Sequence, residues 1–118
     1  MYHYRCELRR VVDGDTVDVL IDLGFGINLK ERVRLIGIDT PEMRSSDPME
    51  RTKARAATKF VENWFATHDS LAIRTRFDRR GKYGRVLGEI SGHESKSDLW
   101  KEHVLNSALL ESKHAEVA

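Results

Sequence analysis

The chain has 118 residues, 40% hydrophobic and 33% charged, with a formal net charge of +1. That length and balance suit one folded domain, residues 1–118, with its own hydrophobic core, and exclude a disordered chain. A single cysteine, Cys6, excludes an intrachain disulfide and a multi-cysteine zinc site.

No apolar run approaches the ~18 residues of a membrane span. Met1-Tyr2-His3-Tyr4-Arg5 lacks the apolar segment of a signal peptide. A cytoplasmic protein without a membrane partner is the expectation; secretion would require a leader removed from this sequence.

The first half reads as strands. Tyr4, Cys6 and Leu8 alternate with Arg5, Glu7 and Arg9, so Cys6 reads as a small buried hydrophobe, with a reactive thiol the alternative. Asp13-Gly14 is a turn pair between apolar runs. Val17, Val19, Ile21 and Leu23 then alternate with Asp18, Leu20 and Asp22 until Gly24-Phe25-Gly26 breaks the pattern. Leu29, Glu31, Val33 and Leu35 give a third strand. It stops at Asp39-Thr40-Pro41-Glu42, because proline has no ladder donor and biases Thr40 away from helix.

Residues 43–49 read as an exposed loop. From Thr52 to about His68, Ala54, Ala57, Val61, Trp64 and Phe65 fall at three- and four-residue spacing, the apolar stripe of a helix. Leu71 to Phe77 alternates as a fourth strand, Asp78 to Lys82 is a turn, and Arg85 to Ile90 is a fifth strand ended by Ser91-Gly92. A last helix is expected over about Asp98 to Ser112, capped by Ser95 or Ser97, with Leu99, Trp100, Val104, Ala108 and Leu109 as core contacts. Three strands, a helix, two strands and a helix match an α+β, mainly β fold: a five-stranded Greek-key barrel of the oligonucleotide-binding (OB-fold) type with two packed helices.

Several residues are candidates for chemistry, each with a plainer alternative. Asp15 follows a common hairpin turn and, alone, reads more readily as structural. Asp39 and Glu42 project from a turn stiffened by Pro41. Asp15, Asp39 and the Thr40 carbonyl are oxygen donors of the kind a hard divalent cation takes; an acidic turn with a capping role explains them equally well. Arg34 is either a neutralising partner for these acids or a bidentate grip on phosphate. Between Leu71 and Arg85 six bases stand against one acid, a charged hairpin or a site for an anion. Within it, Lys82 and Arg85 flank Tyr83, a ring for stacking on a base or a core tyrosine.

Taken in order, Val12-Asp13-Gly14-Asp15-Thr16-Val17, Arg32-Val33-Arg34-Leu35-Ile36-Gly37-Ile38-Asp39-Thr40-Pro41-Glu42, and Phe77-Asp78 with Lys82-Tyr83-Gly84-Arg85-Val86-Leu87 resemble the staphylococcal nuclease (thermonuclease) family. A fainter match is Leu105-Asn106-Ser107-Ala108-Leu109-Leu110 with His114-Ala115. The resemblance implies calcium-dependent cleavage of DNA and RNA, single-stranded or flexible, with another divalent cation as an alternative. It implies metal ligation by Asp15, Asp39 and the Thr40 backbone oxygen. Glu42 would be the general base or would orient the attacking water, Arg34 and Arg85 the phosphate clamp, and Lys82 and Tyr83 the nucleotide-binding side chains. Lys113 stands where the family commonly has a helix-ending glycine. A nucleic-acid-binding barrel that does not cut is the alternative function, and a protein-interaction domain a third.

Overall fold

The computed structural model describes residues 2–77, 86–94 and 101–118. β1 (Tyr2–Asp13), β2 (Thr16–Asp22) and β3 (Asn28–Leu35) form an antiparallel meander. After the two-residue strand β4 (Ile38–Asp39) comes helix α1 (Pro48–Thr67), then β5 (His68–Phe77) and β6 (Val86–Glu94). A short strand β7 (Glu102–Val104), helix α2 (Leu105–Glu111) and β8 (Glu116–Val117) complete the order.

The sheet runs β3-β2-β1-β5-β6-β7, and a parallel pairing of β3 with β6 closes it into a five-stranded barrel. That is the Greek-key barrel with two helices expected from the strand order. Alternation decides which residues fill it. Val17, Val19 and Ile21 of β2 and Val33 and Leu35 of β3 are buried, while the residues between them point outward. Cys6 packs against this core, and burial pushes its thiol up to about 12, which keeps it protonated and unreactive. α1 covers the barrel with Ala54, Ala57, Val61, Trp64 and Phe65, the stripe read from the sequence.

Five boundaries differ from the sequence reading. β3 ends at Leu35 rather than running to Asp39, because the chain turns at Ile36-Gly37, with Gly37 at φ 80°, before the separate strand β4. α1 starts at Pro48, four residues before Thr52, because Asp47 caps it by accepting the Met49 N–H (3.0 Å) and Pro48 is tolerated in a first turn. β5 starts at the helix end without a loop. There the His68 ring stacks on Trp64 (centroids 4.2 Å apart) and its Nδ1 lies 2.8 Å from the Trp64 carbonyl. β6 continues through Ser91-Gly92 because it has partners on both sides, with His93 opposite Asp69 on β5 and Gly92 opposite His103 on β7. The last helix is only Leu105–Glu111, since residues 102–104 pair with β6 instead. Leu109 is buried as expected, and Ser95, Ser97, Leu99 and Trp100 lie outside the described residues. Among the described residues, no helix is long and apolar enough to cross a membrane.

Candidate active site

One end of the barrel gathers residues from three places in the chain. The Asp13-Gly14 turn delivers Asp15, whose backbone N–H bonds Asp13 Oδ1 (3.1 Å), an Asx-type turn that fixes the hairpin end. Gly14 is needed there for space: a Cβ would lie 2.9 Å from Ala57 Cβ on α1 and 3.1 Å from Thr40 Cβ. The missing side chain lets the hairpin, the helix and the Thr40 segment meet.

β3 delivers Arg34, opposite Thr16 on β2. The main chain of Asp15 is tied to the same strand by a 2.8 Å bond from the Leu35 N–H to the Asp15 carbonyl. Asp39 sits on β4, which pairs with β8 so that Asp39 faces Glu116. The Ala118 N–H to Gly37 carbonyl bond (3.1 Å) further holds this crossing.

The three side chains converge. Arg34 Nη1 stands 2.8 Å from Asp15 Oδ2, and Arg34 Nη2 bonds Asp39 Oδ1. Nη1 is near enough to Asp15 for charge attraction but is not aligned to donate to it, and it is buried with no other acceptor. Buried against the Asp15 carboxylate, Nη1 contributes charge there, and the guanidinium has five N–H donors in all, more than the two carboxylates take up. Asp15 also accepts from the Thr16 hydroxyl (3.1 Å) and, at 3.4 Å, from the Thr40 N–H. Burial raises the Asp15 pKa. The hydrogen-bonded Asp13 side chain, the Arg34 charge and the Thr16 and Thr40 donors outweigh it and hold the carboxyl below its ordinary value. Asp13 moves the other way, raised by burial and by the bond it shares with Asp15.

Glu42 is exposed in the turn after Pro41, and among the described residues its carboxylate makes no ion pair with the cluster. Its backbone is held instead. Glu50, in the first turn of α1, accepts the Glu42 N–H (3.5 Å) with one oxygen and the Ser45 hydroxyl with the other. The sequence reading missed Glu50 and Asp13. Asp47 followed three residues later by Glu50 carries the spacing of a capping box, but here the glutamate reaches the preceding loop. A groove of about 700 Å³ opens beside Asp39 and Thr40, between α1 residues Glu50 and Lys53 and the 113–116 segment. Lys82, Tyr83 and Arg85 lie outside the described residues.

Among the described residues no three His, Cys, Asp or Glu side chains form a metal cage. The donor chemistry still fits a hard divalent cation in part. The Asp15 and Asp39 carboxylates lie on the two terminal nitrogens of Arg34, with the Thr40 N–H bonded to Asp15, and hard ions complete their shells with water and phosphate oxygens.

Residues 32–118 match the model of the staphylococcal nuclease homologue family. The chain belongs to that family. It is 34% identical over 85 residues to a thermonuclease of Staphylococcus intermedius, covering 70% of this chain and 46% of that protein. It is 36% identical over 86 residues to Protein ParB of Escherichia coli, covering 73% of this chain and 41% of that one. The chain thus spans less than half the length of these two curated relatives. The staphylococcal nuclease match contains Arg34, Asp39, Thr40 and Glu42 but begins after Asp15; it is the antiparallel pairing of β2 with β3 that sets Asp15 beside Arg34.

Proposed function

We propose that this chain is a calcium-dependent nuclease that hydrolyses phosphodiester bonds in DNA and RNA by attack of water. The observation that carries the reading is the Arg34 guanidinium, held between the Asp15 and Asp39 carboxylates at one end of the barrel. A substrate phosphate takes the guanidinium donors that the two carboxylates leave free. Arg85 is the second half of the clamp, so that two guanidinium groups meet the charge that builds on the phosphorus. Glu42 takes the proton of the attacking water on its carboxylate. Asp15, Asp39 and the Thr40 carbonyl are the ligands for the cation. When bound, the cation supplies positive charge to the phosphate and acidifies water. The lowered Asp15 pKa keeps that ligand ionised. Lys82 and Tyr83 hold the nucleotide, the ring by stacking.

Incubation with single-stranded DNA and with RNA, in calcium and then in chelator, tests this. Cleavage in calcium that stops with chelator is expected. Cleavage should fall by roughly 10²–10³ or more in Arg34→Ala, Arg85→Ala and Glu42→Gln, with melting temperature little changed in Glu42→Gln. Binding of the oligonucleotide without cleavage under any divalent metal would replace this reading with that of a binding module.

A further inference from the structure

The hairpin between β2 and β3 carries an apolar tip that the core does not use. Phe25 is 103% exposed, and Leu23, Ile27 and Leu29 around it are 40%, 56% and 44% exposed. The loop is nonetheless ordered by its own bonds: Leu23 N–H to the Ile27 carbonyl and Ile27 N–H to the Gly24 carbonyl, both 2.9 Å, and Gly24 N–H to Asp22 Oδ1 at 2.8 Å. Gly24, Phe25 and Gly26 have φ of 83°, 55° and 75°. Glycine takes that left-handed conformation readily; phenylalanine is strained in it. A strained, fully solvated aromatic at a hairpin tip gives the fold nothing, and such strain points to use.

The outer face of the hairpin connects that tip to the active site. With Val33 and Leu35 buried, Lys30, Arg32 and Arg34 point outward from β3 in one row, opposite Leu20, Asp18 and Thr16 of β2. Successive bases are about 7 Å apart along the strand, and the row from Arg34 to Asn28 covers about 20 Å. Arg32 is anchored by Asp18, at 2.8 and 3.2 Å. Lys30 is exposed, and with Arg9, Arg32 and the acids Asp18 and Glu31 it lines a groove of about 450 Å³.

We propose that this hairpin is a distal arm for single-stranded nucleic acid. A strand held by its phosphate at Arg34 continues past Arg32 and Lys30 and stacks a base on Phe25. The proposal rests on the nuclease reading of the Arg34 site and extends it away from the scissile bond. Lys30 and Arg9, exposed and without an ion pair among the described residues, favour a polyanion over a second copy of the chain or a bilayer, and the exposed Phe25 ring suits a base, since every base has a face to stack.

Binding of a labelled 20-mer and of a dinucleotide is measured in chelator, so that cleavage does not intervene, for the intact chain, Phe25→Ala and Lys30→Ala. Phe25→Ala is expected to weaken the 20-mer roughly tenfold. Dinucleotide binding, dinucleotide cleavage in calcium and melting temperature should stay as in the unmodified chain. Lys30→Ala should lower the salt dependence of 20-mer binding by about one contact. Unchanged 20-mer affinity in Phe25→Ala, while the intact chain binds and cuts, would overturn the arm and leave the nuclease reading standing. So would loss of a dimer on sizing, or of vesicle binding, with the 20-mer affinity intact. A chain that neither binds nor cuts any oligonucleotide would overturn both.

Discussion

Arg34 stands between carboxylates that arrive by different routes, Asp15 from the first hairpin and Asp39 from the strand that β8 holds down. Its charge is one of the causes of the low Asp15 pKa, and that has a consequence for stability. A carboxyl depressed in the folded state adds stability above its unfolded value, near 3.8, and loses it as pH falls through the lower folded value. Asp13, raised instead, adds its stability below that same value and loses it as pH rises through the folded one. The two partly offset, so the informative quantity is a difference between variants. In Arg34→Ala the depression of Asp15 shrinks, and the Asp15 share of the acid-side loss shrinks with it. Urea denaturation from about pH 2 to about pH 6 should show a shallower fall below pH ~4 in Arg34→Ala than in the unmodified chain. Equal slopes would mean that Asp13, Thr16 and Thr40 alone set the Asp15 titration.

Helix α2 ends in a motif that makes a second prediction. The His114 N–H bonds the Leu109 carbonyl and the Lys113 N–H bonds the Leu110 carbonyl, both 3.1 Å, with Lys113 at φ 63°. This is a Schellman ending, in which glycine is the favoured residue at the left-handed position. Lys113→Gly should therefore raise unfolding stability by about 1 kcal/mol with an unchanged denaturant slope; a loss of stability would show that the lysine stem contributes more than its backbone costs. This position was legible because a helix followed by a family-typical glycine site is a local pattern. So were β1 to β3, whose alternation follows from one buried face, and the apolar stripe of α1. The end of β6 and the start of α2 were not legible, since residues 102–104 take their conformation from pairing with β6 rather than from their own sequence. The same division holds at the site. Asp15, Arg34 and Asp39 were readable as residue types in motifs. The grip of Glu50 on the Glu42 turn, across eight residues, required the helix to start where Asp47 starts it.

Helix α2 is joined to the barrel at Asn106, a buried polar side chain with three main-chain partners. Its Oδ1 accepts the Ile90 N–H (3.2 Å) on β6, and its Nδ2 donates to the carbonyls of Ile36 (2.9 Å) and Gly88 (3.2 Å). Gly88 lies where β6 runs parallel to β3 and opposite Leu35, so Asn106 sits over the pairing that closes the barrel. The Ile36 N–H also bonds the Gly88 carbonyl at 2.9 Å. Ile36 begins the turn from β3 to β4, the path from Arg34 to Asp39. One side chain of α2 therefore ties barrel closure to the spacing of the site residues. Its length and amide chemistry both matter, because aspartate has no donor for the two carbonyls and alanine has neither group. Asn106→Ala strands a buried donor and weakens two buried acceptors, and should cost about 3 kcal/mol of unfolding stability. At a temperature where the variant remains folded, the proposed nuclease cleavage should also fall, because the turn between Arg34 and Asp39 has lost its support. Chemical denaturation gives the first quantity, and cleavage rates under saturating oligonucleotide give the second. A cost below about 1 kcal/mol would show that the parallel β3–β6 pairing closes the barrel without help from α2.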